Sequence, residues 1–403
     1  MNSEPIISHS RPYLEDREIA AVVQALRAGH LAQGEEVALL ERDLSALFDA
    51  GRSPPKRYAR ASEVVVVSSG TAALYLALVA LGAQKGKKVI IPSYTCRSLY
   101  AAVAHAGATP ICADTGKDSV CITPSSVSPL LDDTVGAVIV PHMFGYRADI
   151  DAFLALGCPV IEDCAQSAGG RHADGALLGS KGHIAVLSFY GTKLLPAGEG
   201  GACVTRRKEL AETIRLLRNC DERPLNPCAF NFKMGDLNAA LARAKLQSLP
   251  AMNERRAFLA QRYDEAFGEK SFRKKSADPQ AVCFRYLVEL PSRAARDKRA
   301  CQVYQAGSMA LSPSRSPGRS APAERGRMAA HGKGKDLKSF LKQALEAGIM
   351  CRRPVWEPLH SALGGKCPRT EQLQDTLVSV PLYPGLSEDE VEKICTTLPK
   401  MLI

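Results

Sequence analysis

The sequence predicts an α/β fold: a large domain built on a mostly parallel sheet covered by helices, followed by a smaller α+β domain. Two observations carry this prediction. Short apolar runs rich in β-branched residues alternate with helical segments over roughly 63–190, a pattern typical of a parallel sheet covered on both faces. After about residue 205 the chain becomes largely helical, and a separate strand follows at 284–291.

Length and composition agree with a globular protein of two domains. The chain has 403 residues, of which 46% are hydrophobic and 23% charged, and this excludes a wholly disordered chain, a collagen and a coiled coil. The formal net charge is +10, but residues 291–335 alone contain ten basic and two acidic residues. Most of the net positive charge therefore lies in one stretch that is rich in Arg, Ser, Gly and Pro. We expect this stretch, residues 292–335, to be a poorly ordered insertion.

The first elements are two helices, at 13–29 and 35–50, followed by a basic, Pro-containing linker at 51–62. The uncharged stretch 64–84 is long enough to span a bilayer. Its polar, Gly-containing centre favours instead a short buried strand, a turn and a helix. The 13 cysteines form no CxxC pair and the N-terminus shows no signal-peptide pattern, so we expect free thiols and a cytoplasmic protein.

Five further strands are predicted, each bounded by Gly, Pro or Asp. They fall at 88–92, 108–114, 136–142, 159–164 and 184–190, with a helix around 98–105 after the first of them. Toward the C-terminus, 337–348 is an amphipathic helix ended by Gly348, and a last helix begins with a Ser cap followed by acidic residues. Because ligands of parallel sheets bind at the carboxyl ends of the strands, residues just after each apolar run are candidate site residues.

Three such places carry recognisable chemistry. Ser69-Gly70-Thr71 forms a turn that opens a helix, which suits a phosphate, although a plain N-cap is the commoner role of such a turn when it stands alone. Asp163 ends the fourth of these runs and could hold a protonated ring nitrogen or serve as a surface carboxylate. Lys193 follows the last run; burial would lower its pKa and make its amine a nucleophile toward carbonyls, whereas a solvated lysine would have no such role.

Taken together, these three places have the order needed to hold pyridoxal phosphate. Lys193 would form the Schiff base, Asp163 would pair with the pyridinium nitrogen, and the turn would hold the 5′-phosphate. The sequence therefore predicts this cofactor, and no metal.

Nine segments over roughly 10–270 and 337–400 resemble, in order, the DegT/DnrJ/StrS family of pyridoxal-phosphate-dependent sugar aminotransferases. They are LRAGHLAQGEEVALLERDL, SSGTAALYLAL, VIIPSYTCRSL, AGATPICAD, VPHMFGYRADID, VIEDCAQSAGG, LSFYGTKLLPAGEGGACVT, FNFKMGDLNAAL and VSVPLYPGLSEDEV. The resemblance implies the aspartate-aminotransferase-like fold (PLP fold type I). We expect a large cofactor-binding domain at 1–250, with residues 1–35 able to pack on a small domain at 251–403.

The resemblance also implies the roles of individual residues. Lys193 would be the Schiff-base lysine and proton carrier, and Asp163 would face the pyridine nitrogen. The other implied cofactor-binding residues are Gln166 near the phenolic oxygen, Gly70, Thr71 and Ser188 at the phosphate, Cys96 at the ring face, and Asn231, which would reach the phosphate of the neighbouring subunit in a homodimer with shared active sites.

The implied reaction moves an amino group, usually from glutamate, to a keto group of a nucleotide-linked sugar in polysaccharide biosynthesis. Three positions depart from the family pattern and leave the substrate open. Cys96 replaces an aromatic residue, Lys233 an arginine, and Leu194 an asparagine.

Other readings stay open from the sequence. The chain could be another pyridoxal enzyme, such as an amino-acid aminotransferase or a lyase, or a non-catalytic regulatory or nucleic-acid-binding protein that uses the basic insertion. His142 could face the site or be structural, and Arg352, Arg353 and His360 could contact substrate or be solvated. Trp356, the only tryptophan, has a core or interface position as its default role.

Overall fold

The computed structural model describes residues 5–29, 31–50, 61–221, 225–291 and 337–402. The predicted insertion at 292–335 and most of the predicted linker at 51–62 lie outside these residues. The helices are α1 (Asp16–Arg27), α2 (Glu35–Asp49), α3 (Gly70–Ala80), α4 (Arg97–His105), α5 (Pro124–Val127), α6 (Ile150–Leu154), α7 (Lys208–Leu217), α8 (Asp236–Phe267), α9 (Phe272–Lys275), α10 (Leu337–Glu346), α11 (His360–Leu363), α12 (Pro368–Thr376) and α13 (Glu388–Met401).

A seven-stranded sheet forms the centre of the larger part. Its strands are β1 (Glu63–Val67), β2 (Lys88–Pro92), β3 (Thr109–Ala113), β4 (Val135–Pro141), β5 (Val160–Asp163), β6 (Ile184–Ser188) and β7 (Gly201–Thr205), in the spatial order β1-β7-β6-β5-β4-β2-β3. Neighbours from β3 to β6 pair in parallel, whereas β7 runs antiparallel to both β6 and β1. The predicted mostly parallel sheet is confirmed.

The antiparallel strand β7 was not predicted. Its five residues are all buried, but they are small or β-branched and follow Gly198 and Gly200, so the apolar run is short. The connection from β6 is a loop rather than a crossover helix, and a strand that returns directly must run antiparallel. This hairpin-like return places the loop that carries Lys193 at the carboxyl end of β6.

The stretch 64–84 folds as a strand, a turn and a helix. Helix α3 is buried along Ala72–Val79 between the sheet and helices α4 and α7, which explains its uncharged, wholly apolar sequence. Within the described ranges, no helix is long and apolar enough to cross a membrane.

A two-stranded antiparallel sheet organises the smaller part. Strands β8 (Tyr286–Glu289) and β9 (Leu377–Val380) pair in it, and a core that includes Phe340 and Ile394 surrounds them. Ser387 caps α13 by accepting a hydrogen bond from the Glu390 backbone N–H, as the sequence predicts. The predicted domain boundary near residue 250 stays a prediction, and α8 runs across it.

Candidate active site

Lys193 lies in a tight loop after β6 that is closed by backbone hydrogen bonds. The N–H of Phe189 donates to the carbonyl of Gly200 at 2.8 Å, and the N–H of Gly191 donates to that of Gly198 at 2.9 Å. The Lys193 N–H itself donates to the carbonyl of Tyr190 at 2.8 Å. The backbone that carries the lysine is therefore fixed on the sheet, and its side chain projects from a defined position.

The Lys193 amine is withdrawn from water. Burial lowers its pKa, the charges of Cys96 and Asp163 oppose that effect, and the Arg285 guanidinium adds to it. Its Nζ lies 5.4 Å from the centre of the Phe284 ring. A lysine in this setting has more neutral amine at physiological pH than one on the surface, as nucleophilic attack on a carbonyl requires.

Asp163 ends β5, next to β6 in the sheet, and its carboxylate is buried. Its Oδ1 accepts a hydrogen bond from the Ala165 N–H at 2.9 Å. Burial raises the pKa of the carboxyl, while that hydrogen bond and the charges of Lys193 and His142 act in the opposite direction. A buried carboxylate with one hydrogen bond and a cationic neighbour is suited to hold a positively charged group.

The turn before α3 is a helix N-cap, one of the two readings that the sequence allowed, and the phosphate site stays a prediction. Ser69 is a true N-cap, since its side chain accepts a hydrogen bond from the Ala72 N–H at 3.0 Å. The amides of Gly70 and Thr71 still have no intrahelical acceptor, as at any helix start. A Cβ on Gly70 would lie 2.8 Å from the Cβ of Ser188, so only glycine lets the turn and the end of β6 approach this closely.

We expect Gly70→Ala to weaken cofactor binding, because the added methyl forces Ser188 and the turn apart. Overpacking of this kind costs about 1–3 kcal/mol. Gly116→Ala is the matched control, since its Cβ would lie 2.6 Å from the Cγ2 of Thr123, away from the turn. Titration with pyridoxal phosphate should show reduced affinity for the Gly70 variant alone, whereas thermal unfolding should show both destabilised. Equal cofactor affinity in the two variants would contradict this account of the turn.

The remaining predicted residues are placed as follows. Gln166 is half-buried, and its Oε1 accepts a hydrogen bond from the Phe144 N–H at 3.0 Å, which leaves its amide NH₂ to donate. Cys96 precedes α4, is exposed and lines the same cleft as Lys193 and Gln166. Asn231 is exposed, in the segment before α8. The structure thus brings Cys96 and Gln166 to Lys193, while Asn231 lies on the surface.

His142 is structural. It is fully buried, its Nδ1 accepts a hydrogen bond from the Ala148 N–H at 3.0 Å, and its Nε2 lies 3.0 Å from Oε1 of Glu162. His172 approaches the same oxygen at 3.0 Å. These three side chains have the spacing of a metal site, but the Glu162 oxygens also accept hydrogen bonds from three backbone N–H groups at 179–182. The carboxylate is therefore already satisfied by N–H donors.

His360 is also structural, whereas Trp356 lies at the site. The Nδ1 of His360 lies 2.5 Å from the Oγ of Ser93, and both side chains are buried. Trp356 is 85% exposed, so it does not lie in the core, one of the two positions expected for it. It lines the cleft together with Cys96 and Lys193, and no sequence pattern indicated this. Arg352 is exposed, and its backbone pairs with that of Ser379 in β9.

The sequence did not mark two further parts of the surroundings of Lys193. Phe284 and Arg285, just before β8, lie beside Lys193 and line the cleft. Residues 9–13 of the N-terminal segment line a separate cavity that also contains Lys193. The predicted packing of the N-terminus on the small domain pointed toward this region, but nothing in the spacing of these residues marked them as site residues.

Residues 12–310 match the model of the DegT/DnrJ/EryC1/StrS aminotransferase family. The protein belongs to that family. It is therefore a pyridoxal-phosphate-dependent aminotransferase of a family of sugar aminotransferases.

Solved structures of similar proteins agree with this assignment. The aminotransferase TlmJ from Streptoalloteichus hindustanus is 25% identical, with 98% of this chain and 99% of that one covered and a TM-score of 0.79. Spr1654 from Streptococcus pneumoniae, in its PLP form, is 21% identical with 98% of both chains covered and a TM-score of 0.78. DesI, solved in the presence of its TDP-sugar product, is 21% identical, with 99% of this chain and 93% of that one covered and a TM-score of 0.78.

The residues around Lys193 fit the cofactor of the family. The close turn at Gly70 offers amides to a phosphate, the buried Asp163 offers a negative charge to a ring nitrogen, and Lys193 offers a desolvated amine to an aldehyde. All three lie at the carboxyl edge of the sheet, where such ligands bind.

Proposed function

We propose that this aminotransferase transfers an amino group from glutamate to a keto group of a nucleotide-linked sugar, with Lys193 as the lysine that holds the cofactor. The observation that carries the proposal is the desolvated Lys193 amine, set near the buried Asp163 and beside a cleft wide enough for a large substrate. We further propose that the protein works in the cytoplasm, in the synthesis of a polysaccharide.

Each residue has a defined task in this proposal. Bound pyridoxal phosphate supplies an electron sink for the carbon that carries the amine. Asp163 stabilises positive charge at the ring nitrogen, an interaction that offsets the cost of burying its carboxylate. The Lys193 amine would move a proton between the substrate and the cofactor as a general base and acid. The NH₂ of Gln166 would donate to the phenolic oxygen of the cofactor, and Gly70, Thr71 and Ser188 would hold its phosphate.

A large polar substrate fits the cleft in front of Lys193. The cleft has a volume of about 470 Å³, and Tyr190 and Trp356 present exposed aromatic surface there. Sugars and nucleobases stack on such side chains. The TDP-sugar product of DesI supports the same class of substrate here. We propose that Trp356 contacts the nucleotide-linked sugar, and that the smaller Cys96 covers the cofactor ring without stacking.

We also propose a homodimer in which Asn231 serves the partner's active site. Asn231 is exposed and shows no hydrogen bond within the described chain. Its neighbour Phe230 is 52% exposed, and Leu225 is fully exposed. Exposed apolar side chains around a polar one are typical of an interface that buries both.

A panel of acceptors tests the proposed substrate. With glutamate as donor, we expect 2-oxoglutarate release with nucleotide-linked keto-sugars and little with free 2-keto acids. Because the chain has one tryptophan, we also expect thymidine diphosphate to change the fluorescence of Trp356. Efficient turnover of free keto acids alone would indicate an amino-acid aminotransferase, and release of products without amino transfer would indicate a lyase. A protein that binds nucleic acid but no pyridoxal phosphate would contradict the whole proposal.

A further inference from the structure

An ion pair joins two walls of the cleft that Trp356 lines. The Nη2 of Arg97 donates a hydrogen bond to the Oε2 of Glu357 at 2.6 Å, and both side chains line the cleft. Arg97 begins α4 in the larger part of the structure, whereas Glu357 lies directly after Trp356, in the segment that leads to α11. The pair therefore brings a cation of the larger part to the residue next to the exposed indole.

This ion pair is exposed and has a single contact. The Arg97 side chain is 70% exposed and that of Glu357 is 47% exposed. One N–H group of the guanidinium reaches the carboxylate, and its other N–H groups have no acceptor within the described residues. Exposed ion pairs contribute little stability, because water solvates both charges when they separate. An anion that makes more contacts with Arg97 can therefore replace the carboxylate.

The charged groups of the cleft differ in their exposure to water. The described lining contains three cations, Arg97, Lys193 and Arg285, and one acid, Glu357. Lys193 is desolvated and lies where the cofactor would bind, and Arg285 is half-buried, whereas Arg97 faces solvent. Since Glu357 already neutralises Arg97, an entering anion is held by this guanidinium only if it takes the place of the carboxylate.

The proposed acceptor has its parts in a fixed order. Its sugar is joined to a diphosphate, and the diphosphate is joined to the nucleoside. The keto carbon has to reach the cofactor at Lys193, so the diphosphate and the base extend from there toward solvent, along a cleft of about 470 Å³. Trp356 presents an exposed aromatic surface for the base, and Glu357 holds Arg97 beside it. A diphosphate on this path passes the Arg97 guanidinium.

A diphosphate is a better partner for Arg97 than the carboxylate that it replaces. It carries more negative charge and more acceptor oxygens than a carboxylate, and the planar guanidinium binds a phosphate group through two parallel hydrogen bonds. The pair with Glu357 has one such bond. The released carboxylate is exposed, so water solvates its charge at little cost. The exchange of Glu357 for a diphosphate is therefore favourable.

We propose that Arg97 binds the diphosphate of the nucleotide-linked sugar, and that Glu357 competes with the diphosphate for this guanidinium. The inference rests on the proposed function, and it adds a diphosphate subsite with a competing carboxylate beside it. The aminated product keeps the diphosphate of the substrate. A carboxylate that returns to Arg97 therefore weakens the complex with the product and favours its release.

Calorimetric titration of the cofactor-loaded protein tests this assignment, with thymidine diphosphate and uridine diphosphate as probes because the base is not assigned. Arg97→Gln should bind the nucleotide about tenfold more weakly than wild type, because it loses hydrogen bonds to a charged group. Glu357→Gln should bind it about two- to fivefold more tightly, the range that an exposed ion pair contributes. Lys208→Gln and Glu212→Gln, which break an exposed ion pair on α7, should both bind like wild type.

The two variants of the pair should change the affinity in opposite directions. If the pair only held the segment of Trp356 in place, both variants would break it and shift the affinity the same way, which would overturn the proposal. Unchanged affinity in either variant, or no binding of either nucleotide by wild type, would also overturn it. If Arg97→Gln unfolds, Arg97→Lys decides: it keeps the charge but loses the paired geometry, so wild-type affinity there would contradict the proposed contact. Failure of the proposed function would show separately, as absence of amino transfer to any nucleotide-linked sugar by wild type.

Discussion

Replacing Lys193 with alanine should lower the rate of amino transfer by at least about 10²-fold, because proton transfer alone contributes about 10²–10⁴. The variant should also lose the visible absorbance that pyridoxal phosphate has when it is bound to a lysine amine. The fold should persist, since removing the side chain leaves the backbone hydrogen bonds of the loop intact. Steady-state kinetics and an absorbance spectrum of the purified variant are the measurements.

Lys208→Ala is the matched control for this variant. Lys208 is exposed at the start of α7, where it pairs with Glu212 on the same helix, so activity and absorbance should match wild type. Activity of Lys193→Ala within about tenfold of wild type would assign the proton transfer to another group and contradict the proposed role.

Replacing Asp163 with asparagine should lower the rate of amino transfer by about 10²–10³-fold, the scale of removing one electrostatic contact in a reaction centre. Asparagine has the same shape and can still accept the hydrogen bond from Ala165, but it has no negative charge to stabilise a protonated ring nitrogen. The visible absorbance should persist because Lys193 is unchanged. When the variant is mixed rapidly with glutamate, absorbance measurements should therefore show that the protein carries its full complement of cofactor but reacts more slowly than wild type.

Asp149→Asn serves as the control, since Asp149 is an exposed helix cap whose side chain accepts a hydrogen bond from the Ala152 N–H. It should react like wild type. A change of less than about threefold in Asp163→Asn would mean that the carboxylate contributes less than 1 kcal/mol, and the ring nitrogen would then need no charged partner.

The sequence predicted the parts of the site that depend on local pattern. Asp163 and Lys193 each follow a run of buried β-branched residues, and such runs must end at one edge of a parallel sheet. The turn at Gly70 was recognisable because a strand, a Ser cap and a helix follow one another within a few residues. Local pattern also separated the uncharged stretch at 64–84 into a strand and a helix.

The parts that escaped prediction depend on contacts between distant segments. Arg285 becomes a site residue only because β8 brings Phe284 under Lys193, about ninety residues earlier in the chain. His142 and His360 could not be assigned, since their partners Glu162 and Ser93 are fixed by packing. Strand β7 was missed because its small residues give little apolar signal, although its position in the sheet buries them.

The most direct test of the central claim is to locate the cofactor chemically. Borohydride reduction of the pyridoxal-phosphate-loaded protein makes the bond between the cofactor and its lysine permanent, and peptide mapping by mass spectrometry then identifies that lysine. We expect the added mass on the peptide that contains Lys193, and on no peptide of the Lys193→Ala variant. Stoichiometric labelling of a different lysine, or none in a protein that catalyses amino transfer, would contradict the account.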